Sequence, residues 1–213
     1  IWIIIFVGLC AVLSAKNEIK LNGAEIKKLN IFFSNFSEAH VTSFDENSLN
    51  DLILLKFGIR HVYINKFSIL KDSHDNLLKV VPIGLIDAAT EKYFGKKVLS
   101  NRKKEYLTPV ADSDSNVFSR VTSLHDNQNG TYTAYGVIYS GVSALLRDPY
   151  EPSTDLDKAN DEFSADADFV AVIKKSEINK TRYIILKYEV ISRYSTEDTF
   201  SDGSPTNFEL LLD

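Results

Sequence analysis

Four histidines, His40, His61, His74 and His125, are the first groups in this 213-residue chain that could do acid–base or metal chemistry. None stands at a His-x-x-x-His or other ligand spacing, so they imply neither a metal site nor a cofactor. His61 has polar company in Arg60, Tyr63 and Asn65. His61 and Asn65 lie four apart and share one face of a helix, and their even separation puts them on one face of a strand as well. The cluster reads either as the rim of a polar pocket or, more plainly, as the polar end of an element reaching solvent or loop carbonyls.

Other strings carry less. Asp112-Ser113-Asp114-Ser115-Asn116 spaces its oxygens like the start of a calcium loop, but the central Gly is missing and Ser123 stands where a bidentate Glu is needed. Asp155, Asp157, Asp161, Glu162, Asp166 and Asp168 crowd together, and a solvated loop is the expectation for them rather than a cation site. Ser-x-x-Lys occurs at Ser68 with Lys71 and at Ser100 with Lys103, without the companion strings of a serine nucleophile. No Gly-x-Ser-x-Gly and no phosphate-binding glycine loop is present. Paired carboxylates for glycoside hydrolysis cannot be read from spacing. Asn-x-Ser/Thr sequons begin at Asn35, Asn129 and Asn179, the last two in turn-like strings where a glycan would fit.

Aromatic residues are the other lead. Tyr132, Tyr135, Tyr139, Tyr183, Tyr188 and Tyr194 fall on strand-like segments, with Tyr135 and Tyr139 on one face of theirs. A Tyr-rich sheet can offer an amphipathic surface to a glycan or a protein, and it can equally be core with hydroxyls at the rim.

The elements that would position these groups follow a helix-then-strand order. Ile26, Leu29, Phe32, Phe33 and Phe36 recur at helical spacing after the Asn22-Gly23 turn or cap, predicting a helix over 24–36. A second helix starts behind a cap at Asn47 or Ser48 and runs to Phe57, with Gly58 inside it and a continuation to Lys66 that also suits a strand. Leu77 to Val81 reads as a short strand, and Leu85 to Phe94 as a third helix closed by Gly95. Strands follow around Val117–Leu124, over Thr131–Val142 after the Asn127-Gln128-Asn129-Gly130 turn, over Phe169–Lys174 and over Arg182–Tyr194, with a last one at Phe208–Leu212. This order predicts an α+β fold, its N-terminal helices packed on one face of a C-terminal antiparallel meander sheet, like the cone-shaped NTF2 or cystatin folds.

Bulk composition bounds the rest. Hydrophobic residues make up 44%, including 13 Phe, enough for a packed core. A net charge of −5 disfavours nucleic acid and anionic lipid as partners. Lys96-Lys97 and Arg102-Lys103-Lys104 are short basic runs expected in solvated loops. Ile1 to Leu13 is apolar and uncharged, then small residues at Ser14 and Ala15 lead into polar sequence, the pattern of a signal peptide over 1–15 truncated at its start. A single domain over 16–213 follows. Cys10 is the lone cysteine, so the mature domain has no disulfide or cysteine nucleophile. Leu9 before it departs from a lipobox, which favours a secreted or periplasmic protein over a lipid anchor on Cys10.

The strings Leu29-Asn30-Ile31-Phe32-Phe33-Ser34-Asn35-Phe36-Ser37-Glu38, Phe57 to Asn65 and Lys92-Tyr93-Phe94-Gly95 resemble those of uncharacterised exported bacterial proteins of the lipoprotein type. The resemblance covers the helical first half; it implies a cell-envelope location and no activity. Taken together, these features lead to an exported, non-enzymatic domain that binds a protein or glycan. A hydrolase of cell-wall or nutrient polymers is the alternative, and an inhibitor presenting a loop over Arg147 to Thr154 is a third.

Overall fold

In the computed structural model the described residues are 17–193, apart from 75, 101, 111–114, 143–147, 155 and 157–162. The expected signal segment with Cys10, the final strand at Phe208–Leu212, Tyr194 and most of the calcium-like string lie outside them.

Helix α1 (Gly23–Glu38) opens with a complete capping box. Asn22 Oδ1 accepts the Glu25 N–H at 3.0 Å and Glu25 Oε2 accepts the Asn22 N–H at 2.9 Å, satisfying two groups the helix leaves bare. Helix α2 runs over Asp51–Lys66. Its cap is Asn50, whose Oδ1 accepts from Leu52 N and Ile53 N. The expected caps Asn47 and Ser48 instead donate their N–H groups to Asp45 Oδ1 in the preceding turn. The helical alternative holds for Ile59 to Lys66. Helix α3 (Ile83–Phe94) ends, as expected, on left-handed Gly95.

Strands β1 (Lys71–Asp72), β2 (Leu78–Pro82) and β3 (Glu105–Pro109) form one antiparallel sheet. Strands β4 (Ser115–Asp126), β5 (Thr131–Val142), β6 (Phe163–Lys175) and β7 (Tyr183–Ser192) form a second, in meander order. The fold is α+β, with two sheets where the sequence suggested one: Glu105–Pro109 pairs back onto β2 rather than joining the meander. Part of the acidic stretch is also strand, since β6 begins at Phe163 and Asp168 is held by Arg193 at 2.5 and 3.0 Å. Arg102, expected in a solvated loop, forks onto Asp87 of α3 at 2.9 and 2.5 Å.

α1 lies on the inner face of the meander. Phe33 packs on Phe169, ring centroids 4.8 Å apart, and Phe36 links Phe57 of α2, Phe94 of α3 and Tyr188 of β7. Gly136 makes the Phe33–Phe169 contact possible. A Cβ there would stand 2.4 Å from the Phe169 ring and 2.3 Å from the Arg120 carbonyl. Gly58 plays a like part between α2 and α3, where a Cβ would meet Ile86 at 2.5 Å. That close approach explains a glycine inside a continuous helix.

Both edges of the meander are covered at specific positions. On β4, Ile19 N donates to Leu124 O and Asp126 N to Asn17 O. Nearer the start of the strand, Ser119 N donates to Ser34 Oγ and Val121 N to Asn30 Oδ1, each at 2.8 Å. On β7, Phe44 and Tyr188 exchange backbone hydrogen bonds at 2.8 and 2.9 Å.

Gly136→Ala is expected to lose about 1–3 kcal/mol by overpacking. Gly84→Ala, exposed on α3 with open space around it, is expected to be neutral or to gain up to about 1 kcal/mol. Urea denaturation of both variants checks the contrast.

Candidate functional site

His61 does not sit at a pocket rim or reach solvent. It is buried in the aromatic core, stacked on Phe57 at 5.3 Å and edge-on to Tyr93 at 4.9 Å. Asn65 Nδ2 lies 3.2 Å from His61 Nδ1, a contact that requires Nδ1 as acceptor and so the neutral ring. Burial first, then the Lys92 and Lys66 cations, push the His61 pKa from its ordinary 6.5 down to about 4. Tyr63 packs edge-on against Phe67, and Arg60 is half-buried; burial first, then the Arg60 charge, lower the His40 pKa. No carboxylate bonds to His61 among the described residues, so this imidazole has no acid–base partner of the kind a hydrolase needs.

The sheet tyrosines separate. Ala134, Gly136 and Ile138 of β5 face the helices, which turns Tyr135 and Tyr139 to the outer face. There Tyr139 stacks on Phe118 at 5.4 Å, and Tyr135 meets His125 edge-on while remaining 42% exposed. Tyr188 is fully buried in the core. Tyr132 and Tyr183 contact each other edge to face on the helix side. The five described strand tyrosines therefore do not build one surface, and His61 and Asn65 are not brought together with Tyr135 and Tyr139.

The loop proposed to project as an inhibitor is tied down where it is described. Lys27 pairs with Asp148 at 2.7 Å and Glu151 at 3.1 Å. Asn30 donates to Tyr150 O at 2.9 Å, Tyr150 donates its hydroxyl to Glu38, and Arg120 holds the carbonyls of Glu151 and Thr154. Of the sequons, Asn35 is buried in α1, while Asn129 and Asn179 stand in turns, each accepting from the threonine two residues on.

A concavity of about 430 Å³ lies between α1, the end of α3 and the β6–β7 turn. Its volume is that of a small-molecule site. Phe32, Tyr93 and Tyr183 form an aromatic floor, with Phe32 5.8 Å from Tyr93 and 6.4 Å from Tyr183. Leu21, Leu29 and Ile31 extend it. Above the floor stand Lys28 of α1, Lys92 of α3, Lys175 of β6 and Arg182 just before β7. None of these four cations forms an ion pair among the described residues. Lys92 rests over the Tyr93 ring at 4.6 Å and Lys175 over Tyr183 at 3.8 Å, attracted by the ring faces. Burial, then Arg182 and Lys66, lower the Lys92 pKa: like charges crowd there without a counter-ion. The single carboxylate lining the cleft, Glu25, is engaged in the α1 capping box.

The sequence matches no protein-family model, no curated protein and no solved structure. Among the described residues no group of three His, Cys, Asp or Glu could hold a metal, and no helix is long and apolar enough to cross a membrane. Sequence reasoning missed the cleft because its cations are spread from residue 28 to residue 182. The available signal was the cation–tyrosine pairing in Lys92-Tyr93 and Arg182-Tyr183.

Since the folded His61 pKa is depressed, its neutral form supports the fold fully above pH 6.5, and that support is lost as pH falls toward about 4. Denaturation at pH 7 and pH 4.5 is expected to show a smaller acid loss for His61→Phe than for the wild type, by up to about 3 kcal/mol.

Proposed function

We propose that this chain is an exported protein of the cell envelope whose domain is a non-enzymatic binding module. It holds an acidic ligand, carried by a glycan or a protein, in the cleft between α1, α3 and the β6–β7 turn. One observation carries this reading: four cations without ion-pair partners among the described residues stand over an aromatic floor, in a chain whose net charge is −5. Cations gathered against an overall acidic surface repel one another until an anion arrives, which is the arrangement of a ready anion site. The N-terminal sequence pattern and the resemblance to exported bacterial proteins support the location.

Binding is favoured over hydrolysis by the residues in reach. The cleft has one carboxylate, already accepting a backbone N–H, and general acid–base hydrolysis of a glycoside needs two free to act. His61 is sealed in the core and held neutral.

Titration calorimetry with an oligogalacturonate and with an oligoglutamate peptide tests the reading. At least one is expected to bind, more weakly as salt screens the exposed cations. The double variant Lys92→Glu with Arg182→Glu is expected to lose about tenfold to a hundredfold in affinity, since hydrogen bonds to charged groups contribute about 1.5–3 kcal/mol each and exposure reduces that. Failure of both acidic ligands, or binding unchanged in the double variant, would overturn it.

A further inference from the structure

We infer that the group seated in the cleft is an amphipathic anion: an apolar, aromatic or aliphatic body bearing a carboxylate, sulfate or phosphate head, rather than a sugar ring. The inference rests on the acidic-ligand reading and narrows it.

A saccharide presents a hydroxyl at nearly every carbon, and a site for one answers them with neutral amide and hydroxyl groups as well as charged ones, because a polar group buried without a partner is penalised. This cleft offers few free neutral groups. The Asn35 amide already donates to Ile31 O at 2.6 Å, and the Thr181 hydroxyl already donates to Asn179 Oδ1 at 2.6 Å. What the cleft presents freely is apolar surface below and positive charge above. Phe32 and Tyr183 are only partly buried, and Ile31 of the same wall is 43% exposed.

The charges are placed for a head group at the rim. Lys28 and Lys92 come from the helical side and Lys175 and Arg182 from the sheet side, so an anion between them meets donors from two directions. With the cleft open, the faces of Tyr93 and Tyr183 hold Lys92 and Lys175. A ligand body sliding onto the Tyr183 face would displace the Lys175 ammonium toward its own head group. Charge complementarity thus selects the anion, and the floor selects the apolar body.

Paired fluorescent probes separate these requirements. 8-Anilinonaphthalene-1-sulfonate carries a sulfonate; N-phenyl-1-naphthylamine has the same rings and no charge. The folded wild-type protein is expected to bind the sulfonate one to one, at least tenfold tighter than the uncharged amine. Inorganic sulfate at matched concentration is expected not to displace it. Lys92→Glu with Arg182→Glu should weaken the sulfonate at least tenfold, and Lys92→Arg should retain it. Equal affinity for the two naphthalenes would overturn the inference by removing charge selection. Binding of oligogalacturonate in the cleft without binding of the sulfonate would overturn it while leaving the acidic-ligand reading standing. Binding of oligoglutamate without the sulfonate likewise overturns the inference alone; if the sulfonate, oligogalacturonate and oligoglutamate all fail to bind, both fall.

Discussion

The backbone N–H groups of Ser119 and Val121, turned outward from the edge strand β4, must find acceptors in a buried setting, and α1 supplies them. Ser34 Oγ and Asn30 Oδ1 accept at 2.8 Å each, and Ser37 joins the same buried set through Ser119 Oγ. Unpaired backbone donors cost about 1–3 kcal/mol apiece when buried, so the helix has little freedom to slide or roll. That restraint fixes its depth over the sheet. Phe33 then lands on Phe169, a contact only a glycine at 136 admits. The opposite flank of the same helix, carrying Lys28, Ile31 and Phe32, turns toward the β6–β7 side and becomes one wall of the cleft.

The aromatic core and the cleft are electrostatically joined through Tyr93. One side of its surroundings is dry: His61 and Phe57 lie against it. Lys92 sits over its ring in the cleft. After burial itself, the charge that most disfavours a proton on His61 is Lys92, one of the cleft cations, followed by Lys66, and burial raises the Tyr93 pKa to about 12 so the phenol stays neutral. Positive charge is thereby kept at the surface, where solvent supports it, and neutral rings are kept beneath. The division needs no buried ion pair, which would have to offset a large desolvation penalty.

Much of the architecture was legible because local chemistry and burial agreed. The apolar spacing of Leu29, Phe33 and Phe36, the turn or cap at Asn22-Gly23, Gly95 as a left-handed stop and the Asn-Gly hairpin each have a local physical cause. Helix α2 beyond Phe57 was ambiguous because Ile59, Val62 and Ile64 suit either period; packing against α3 at Gly58 accompanies the helical choice. The second sheet was illegible because β3 is five residues long and its partner β2 lies on the far side of a helix in sequence. The candidate site was misplaced for a related reason. His61, Arg60, Tyr63 and Asn65 are adjacent in sequence and drew notice, whereas the cleft joins residues that only the fold brings together. Polarity in sequence also misled at His61, which sits between rings as a flat neutral aromatic.

Closure of the sheet at both edges has a consequence for how anything can recognise this domain. Asn17 and Ile19, Asn30 and Ser34 on one edge, and Ser43 and Phe44 on the other, already occupy main-chain groups that an incoming strand would use. Partners that extend a sheet take much of their affinity from the main chain and read only alternate side chains. At these positions that generic grip is withheld. Selectivity is thrown onto side-chain shape and charge, and a would-be binder gains nothing there from being merely extended.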